Sequence, residues 1–430
     1  MNNFFKLSER NTTARKEIFA GITTFLTMAY IIFVNPNILA NAGMDKGALI
    51  TVTALAAFFG TMLVGLWANV PLAMAPGMGL NAFFAYSLVL GHKVSWETAL
   101  GIVFISGILF LILTIIGVRE KIVDAIPVSI RIAIPAGIGL FITFIGLKNL
   151  GIIVDHPATL VSLGKLTNPV LLGLAGVLII GILEVKKIKG SILTGIIVTT
   201  ILGIIFGEVT LPDSLVSLPN SIMPVAFKLD IIGALKFGFI GAIFSFMFVD
   251  LFDSIGTMVA CSYEGGFVDK DGKIENINKM LEADAVATVF GSVIGTSTTT
   301  TYIESASGIA DGGRTGLASV VTGLLFLAAL IFTPIIGIVP AFATAPALII
   351  VGVFMFKNIK LIDFTDFGEA IPAFLIIIMM PLTFSISNGL SFGFISYVGI
   401  NAVSGNHKRI SPVMWVIAIL AIVNLVVANG

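Results

Sequence analysis

Two short stretches of this sequence place acidic side chains among apolar residues, where they could do chemistry. In GTSTTTTYIESASGIADGG (295–313), six consecutive hydroxyl residues lead to Glu304. In GAIFSFMFVDLFDSIGTMVA (241–260), Asp250 and Asp253 are three positions apart, a spacing that predicts one shared helical face. Carboxylates accept hydrogen bonds from the N–H groups of a ligand, and a protonatable carboxyl group can carry a proton.

The composition places these acids in a membrane. The 430 residues are 57% hydrophobic and 11% charged, with a mean hydropathy of +1.08. Apolar runs of about 17–25 residues, the length that crosses a bilayer as a helix, recur along the chain. A charged Asp at the centre of such a helix costs about 2.5–3.5 kcal/mol, so each acid demands a reason. That reason is either function or a structural hydrogen bond to a nearby Ser, Thr or backbone group, and both remain open from the residues alone.

The same composition argues against several classes of protein. Lys+Arg and Asp+Glu each number 24, so the net charge is zero and no nucleic-acid partner is expected. One Cys and 3 scattered His give no expectation of a metal site, and no cofactor is expected. The sequence has neither a phosphate-binding Gly-Lys-Ser/Thr loop nor a Gly-x-Gly-Asp turn. An ATP-driven pump and a membrane aspartyl protease are therefore not predicted.

Seven helical spans are predicted in each half of the chain. They lie near 17–35, 48–67, 73–91, 97–117, 130–148, 168–184, 190–207, 234–260, 280–295, 303–310, 314–333, 341–357, 369–387 and 389–404. Most Lys and Arg residues fall on one side of this arrangement, which assigns the N-terminus to the cytoplasm. We expect a multi-pass protein of the cell membrane without a cleaved signal peptide. The apolar run 412–429 lies outside the scheme, either as a further crossing or in the membrane plane.

The two halves of the chain resemble each other in short matches that occur in the same order. SGILFL (106–111) resembles TGLLFL (322–327), and two similar Pro-containing segments end at Asn149 and Asn358. Because each half has an odd number of crossings, the second half must be inverted relative to the first. Inverted repeats are typical of secondary transporters, whose binding site lies at the midplane where broken helices meet.

The third span of each half is predicted to be broken. Pro and Gly in NVPLAMAPGMGLNAFFAYS (69–87) cannot sustain a regular helix. TTTTYI (298–303) is β-branched and aromatic, which favours a strand, so its helix begins only near Glu304. We expect the two strands to pair at membrane depth and to continue as half-helices whose N-termini point at the midplane. The alternative for the Thr tract is a helix whose hydroxyls bond back to its own carbonyl groups.

The other acids near the spans receive simpler interpretations. Glu282 and Asp284 are expected at the start of a helix, where negative charge is favourable. Asp311 is expected to form a turn or to cap the next helix. Glu184, Asp363 and Glu369, at the ends of spans, are expected to be solvated.

Four motifs together resemble the adenine/guanine/hypoxanthine permeases, the AzgA-like branch of the xanthine/uracil permease family. They are TMAYIIFVNP (27–36), MAPGMGLNAFFAY (74–86), FVDLFDSIGT (248–257) and TTTYIESASGIADGGRTG (299–316). The resemblance covers nearly the whole chain. It implies an all-α polytopic membrane fold, a 7+7 transmembrane inverted repeat with short β-strands and half-helices in spans 3 and 10, divided into core and gate domains. The implied division is a cytoplasmic N-terminal tail (1–16), core (17–117), gate (118–207), core (234–333), gate (341–404) and an extra C-terminal segment (412–429).

The resemblance also implies a function, which is transport and not enzymatic catalysis. It implies import of purine nucleobases (guanine, hypoxanthine or adenine) by proton symport, through an elevator-like movement of the core. Carried over by position, the family's substrate-contacting and coupling residues fall on Asp250, Glu304, Asn81 and Asp253, and the backbone at Tyr302 and Ile303 is expected to add donors. Proton coupling is expected to use Asp250, Asp253 and Glu304, with sodium as the alternative ion.

The expected partners are a purine base, protons, the lipid bilayer and a second copy of the chain bound through the gate domain. The alternative function is anion transport by the same fold class. An acid at position 304 would repel an anion, which favours the nucleobase.

Overall fold

The computed structural model describes residues 2–117, 125–212, 214–268 and 273–429, most of which are helical. The helices of the first half are Asn2–Phe5, Ala14–Met28, Ile31–Ala40, Lys46–Trp67, Met78–Ala82 (which continues as the π-helix Phe83–Gly91), Trp96–Ile115, Val128–Leu150, Asn168–Val185 and Ser191–Ile205. Those of the second half are Ile231–Ala234, Ile240–Gly265, Ile277–Ile294, Ser305–Ala310, Gly316–Ala329, Thr333–Gly337, Ala341–Phe356, Phe367–Leu382, Ile386–Val403 and Pro412–Asn429. The strands are Met74–Pro76, Ile153–His156, Leu160–Leu163 and Thr299–Thr301.

The helices confirm a multi-pass membrane protein. Within the described residues, 8 helical segments are long and apolar enough to cross a membrane. Four shorter apolar helices, Met78–Gly91, Ser191–Ile205, Phe367–Leu382 and Pro412–Val423, accompany them. Every predicted span coincides with a helix, whereas the inverted relation between the two halves stays a prediction.

The predicted pairing of the two broken spans is confirmed. Met74–Pro76 and Thr299–Thr301 form an antiparallel pair, with Ala75 opposite Thr300, and all of their side chains are buried. The pair is extended by backbone hydrogen bonds from Gly77 N–H to Thr298 O and from Tyr302 N–H to Ala73 O, both 2.9 Å. Helices follow directly, from Met78 and from Ser305. The alternative of a helical Thr tract is therefore wrong.

The first span differs from its prediction. It consists of two helices, Ala14–Met28 and Ile31–Ala40, separated by a break at Ala29 and Tyr30, instead of one helix over 17–35. Pro36 lies inside the second helix and cannot donate a backbone hydrogen bond. The break places the Tyr30 side chain, which is fully buried, in the interior of the protein.

The residues before this span are packed against the protein, although the sequence predicts a tail. Arg10 forms an ion pair of 2.8 Å with Glu275 and donates to the carbonyl O of Arg314 at 3.2 Å. Phe5 and Leu7 are buried. The segment therefore connects loops of the predicted core on one face of the molecule.

Helix packing is consistent with two bodies. Val128–Leu150 packs along Ala341–Phe356 and Phe367–Leu382, which are all predicted gate segments. Gly316–Ala329 packs between Lys46–Trp67 and Ala14–Met28, which are predicted core segments. The predicted boundary between the first core and gate segments, at 117/118, adjoins residues outside the described part of the chain.

Two features lie outside the predicted scheme. Ile153–His156 and Leu160–Leu163 form an exposed β-hairpin between two spans. The C-terminal run is a helix, Pro412–Asn429, that packs against Ile386–Val403 and Ile240–Gly265.

Candidate functional site

Hydroxyl groups of the surrounding helices anchor the strand pair. Thr61 Oγ1 lies 2.9 Å from both the N and the O of Met74. On the other strand, Thr288 Oγ1 donates to Thr299 O at 2.9 Å and accepts from Thr299 N at 3.2 Å. Extended backbone at membrane depth is stable only when its polar groups are bonded within the protein, and these hydroxyls supply the bonds that the partner strand does not.

Glu304 lies where the second strand becomes the half-helix Ser305–Ala310. Its carboxylate is half-buried, and its Oε1 accepts a hydrogen bond of 2.5 Å from Tyr30 Oη. The half-helix is pressed against the first span at Gly308, where a Cβ would lie 2.5 Å from the carbonyl O of Ala20. The sequence fits this close approach because glycine has no side chain.

A cavity of about 680 Å³ lies next to this carboxylate. Its lining from the predicted core comprises Thr27, Phe252, Asp253, Gly256, Thr257, Ala260, Ile303, Glu304 and Ser307. Its lining from the predicted gate comprises Pro135, Glu184, Lys187, Ile188, Lys189, Gly190, Ser191, Ile192, Val351, Phe354, Met355, Lys357 and Asn358. The lining thus includes three lysines, Lys187, Lys189 and Lys357, all from the predicted gate.

The two aspartates of Ile240–Gly265 face different surroundings, although their spacing predicts one shared face. Asp253 lines the cavity, as does Thr257 one turn further on. Asp250 is 2% exposed and faces the strand pair, where its Oδ2 accepts from Thr288 Oγ1 at 3.3 Å. Ser254 lies one helical turn after Asp250, and its Oγ is 2.6 Å from Thr300 Oγ1. The helix therefore presents one acid to the cavity and one to the interior.

A third acid, Asp284, contradicts its prediction. It lies in the third turn of Ile277–Ile294, not at a helix start, and is fully buried. Its Oδ1 accepts from Ser254 Oγ at 2.8 Å and from Thr301 Oγ1 at 3.3 Å. The sequence places the start of the span three residues too late, at 280 instead of 277, which puts Asp284 closer to the helix start than it is. Asp250 and Asp284 thus each contact a hydroxyl group across the interface between Ile240–Gly265 and Ile277–Ile294.

Of the other predicted site residues, Ile303 lines the cavity, whereas Tyr302 and Asn81 do not. Ile303 lines the cavity and is 42% exposed. Tyr302 is 5% exposed, and its hydroxyl donates to Pro76 O at 2.6 Å, within the strand pair. Asn81 is fully buried, and neither of its amide atoms has a hydrogen-bond partner among the described residues. The structure therefore brings Glu304, Asp253 and Ile303 together at the cavity, whereas Asn81 and Tyr302 are buried and are not lining residues of it.

Polar side chains also connect the two predicted domains at the edge of the cavity. Asp311, in the turn after the half-helix, accepts from Thr23 Oγ1 at 2.6 Å and pairs with Lys189. Its pKa is below the ordinary value, because the hydrogen bonds from Lys189 and Thr23 outweigh its partial burial, which acts in the opposite direction. Glu184, predicted to be solvated, is half-buried and accepts from Ser191 Oγ.

The cavity can hold a small planar polar molecule. Its volume falls within the roughly 300–1,000 Å³ of ligand sites. Two carboxyl groups, of Asp253 and Glu304, offer acceptors for N–H donors, and apolar side chains such as Ile303 and Phe252 offer surface for a ring. Among the described residues, no group of three or more His, Cys, Asp or Glu side chains is placed to hold a metal ion.

Comparisons with known proteins agree with this architecture. The permease family model Xan_ur_permease matches residues 15–392. Adenine permease AdeP of Escherichia coli (strain K12) is 47% identical, covering 99% of this chain and 96% of AdeP. Guanine/hypoxanthine permease PbuG of Bacillus subtilis (strain 168) is 44% identical, covering 96% of this chain and 97% of PbuG.

A solved structure shows the same fold. The transmembrane domain of a cyanobacterium bicarbonate transporter, BicA, superimposes with a TM-score of 0.68 at 16% identity, covering 87% of this chain and 97% of that domain. At this identity the likeness concerns the fold alone. The relatives and the family are permeases and not enzymes. The chain belongs to the xanthine/uracil permease family, in the branch of its adenine and guanine/hypoxanthine permease relatives.

Proposed function

We propose that this chain imports purine nucleobases across the cell membrane by proton symport. The observation that carries the proposal is the pair of carboxyl groups, Asp253 and Glu304, on one cavity between two helical bodies. Relatives named adenine permease and guanine/hypoxanthine permease, at 47% and 44% identity over nearly the full chain, support the substrate class.

The carboxyl groups match the chemistry of a purine. Purine bases carry ring N–H groups and, in adenine and guanine, exocyclic amino groups, all of which donate hydrogen bonds. Glu304 and Asp253 are acceptors in a partly dehydrated site, where charge-assisted hydrogen bonds are strong. Both acids would repel an anion, so the anion-transporter alternative is disfavoured even though the fold is shared with a bicarbonate transporter.

Two predicted residues that do not line the cavity, Asp250 and Asn81, belong to the same proposal. Asp250 contacts Thr288 and is not a lining residue of the cavity, and Asn81 has a buried amide without a protein partner among the described residues. Buried polar groups normally have a hydrogen-bond partner, so Asn81 is suited to contact a bound base or water. We assign base contacts to Glu304, Asp250, Asn81 and the backbone at Tyr302 and Ile303, and proton transfer to Asp250, Asp253 and Glu304.

Movement of the two bodies would provide alternating access. The proposed core consists of 17–117 and 234–333, and the proposed gate of 118–207 and 341–404. The strand pair joins spans 3 and 10 within the core, so the base-contacting residues would move together. The gate helices pack mainly on one another, which is consistent with a static scaffold and with dimerisation through that domain.

Equilibrium binding to the purified protein tests the proposal. Labelled hypoxanthine should bind and should be displaced by guanine or adenine, but not by uracil or sulfate. Glu304→Ala should abolish binding. Asp363→Asn, which removes an exposed acid bonded to Thr365, serves as the matched control and should bind as the wild type does. Displacement by sulfate, or normal binding to Glu304→Ala, would contradict the proposal.

A further inference from the structure

The contact between Tyr30 and Glu304 identifies a further residue of the site. The two side chains come from distant parts of the chain, yet Tyr30 Oη lies 2.5 Å from Glu304 Oε1. Tyr30 is fully buried and does not line the cavity. Its hydroxyl therefore approaches the carboxylate from the protein side, while the cavity lies on the other side.

The local structure fixes this hydroxyl in place. Tyr30 lies in the break between Ala14–Met28 and Ile31–Ala40, where the chain makes short turns: Ile32 N–H donates to Ala29 O at 3.1 Å and Phe33 N–H to Tyr30 O at 3.0 Å. A buried aromatic ring has only two side-chain torsions to fix, so the hydroxyl is a rigid donor.

The first span also contacts the backbone of Glu304 and of the half-helix that follows it. Thr27 Oγ1 lies 3.5 Å from the carbonyl O of Glu304, and Gly308 allows the half-helix to contact the helix that carries Ala20. Two successive turns of the first span therefore lie against the backbone and the side chain of Glu304, and Tyr30 bonds to its carboxylate. The carboxylate and its donor would move as one unit with the proposed core.

The chemical consequence is that the two carboxylate oxygens of Glu304 have different hydrogen-bond partners. A neutral phenol can donate only one hydrogen bond, and Oε1 of Glu304 receives it. Oε2 is not bonded to Tyr30, and in this proposal it accepts an N–H from a ligand in the cavity. Because the rotation of the carboxylate is already restricted, less conformational entropy is lost when the ligand binds.

We propose that Tyr30 is a positioning residue for nucleobase recognition, holding Glu304 so that one carboxylate oxygen faces the base. This inference rests on the proposed function. Tyr302, the sequence neighbour of Glu304, does not provide this contact, because its hydroxyl donates to Pro76 O.

The test is Tyr30→Phe, which keeps the ring and removes the donor. Loss of a hydrogen bond to a charged group predicts that Kd and KM for hypoxanthine rise about tenfold or more. Vmax should stay within about twofold, because the carboxylate itself is retained. Tyr397→Phe is the matched control, since that buried hydroxyl donates to the carbonyl O of Arg409 away from the cavity, and its KM should equal the wild-type value.

Combining the change with Glu304→Asp separates positioning from a general effect on folding. The shorter Asp side chain withdraws the carboxylate from the Tyr30 hydroxyl, so Tyr30→Phe in that background should change Kd by less than about twofold. Equal effects of Tyr30→Phe in both backgrounds, or wild-type KM in Tyr30→Phe, would overturn the inference. If Tyr30→Phe does not fold, Glu304→Asp alone carries the test, and wild-type affinity would overturn the inference. Absence of purine binding by the wild type would instead refute the proposed function.

Discussion

Thr288→Val tests whether the side-chain hydroxyls hold the strand pair at membrane depth. Thr288 Oγ1 contacts the N and O of Thr299 at 3.2 and 2.9 Å and Asp250 Oδ2 at 3.3 Å. Valine has nearly the same shape, so packing is retained while the contacts of the hydroxyl with Thr299 N, Thr299 O and Asp250 Oδ2 are lost. Two buried backbone groups then lack a partner, each at a cost of about 1–3 kcal/mol, which predicts a loss of about 2–6 kcal/mol in the free energy of unfolding.

The assay is reversible unfolding in mixed micelles, followed by circular dichroism. Thr288→Ser keeps the hydroxyl and should recover most of the loss. Thr200→Val is the control for removing a buried hydroxyl from a helix, because Thr200 Oγ1 donates only to Ile196 O within its own helix. Because the carbonyl of Ile196 keeps its backbone hydrogen bond within the helix, Thr200→Val should lower the free energy of unfolding by less, about 0.5–1.5 kcal/mol. Equal losses for Thr288→Val and Thr200→Val would refute the role assigned to Thr288.

Four further variants have expected outcomes. Glu304→Gln should weaken hypoxanthine binding at least about tenfold, since an amide replaces a charged acceptor; unchanged affinity in a titration would contradict the site. Asp311→Asn should reduce the amount of folded protein, and lost affinity at normal abundance would assign it a direct role instead. Hydrogen bonding to Arg409 lowers the pKa of Asp366, so Asp366→Asn should lower the stability of the protein at pH values above the ordinary Asp pKa. The difference in stability between variant and wild type should disappear as the pH falls through the lowered pKa, and melting temperatures measured across pH check this. Gly308→Leu should abolish uptake by separating the half-helix from the first span, and wild-type uptake would show that the close approach is dispensable.

The strand pair could be predicted because its local signals agree with the environment. Consecutive β-branched residues favour a strand, and Pro and Gly in the matching span exclude a helix. At membrane depth each strand needs a partner, and the other broken span provides it. The helix that begins at Ser305 agrees with the predicted start, whereas these local signals do not specify the register of Ala75 opposite Thr300.

The surroundings of the acids could not be predicted in the same way. Spacing along a helix assigns Asp250 and Asp253 to one face, but the cavity wall lies between them, because the strand pair packs against one edge of that face. The interpretation of Asp284 depends on where its helix begins, and an error of three residues at Ile277 makes a buried side chain look like an acid near a helix start.

The contact between Tyr30 and Glu304 depends on tertiary structure alone. A single Pro in the first span is compatible with a kinked but continuous helix, and no local pattern specifies the break at Ala29. The two residues are 274 positions apart in sequence. Only the packing of the half-helix on the first span brings the hydroxyl to the carboxylate.

The most direct test of the central claim is uptake of labelled hypoxanthine into proteoliposomes, with and without an inward proton gradient. Adenine, guanine, uracil and sulfate serve as competitors. Accumulation that requires the proton gradient, ceases when the gradient is collapsed, and is inhibited by purines but not by uracil or sulfate is the predicted result. No uptake of any base, with sulfate or another anion carried instead, would contradict the account while leaving the fold intact.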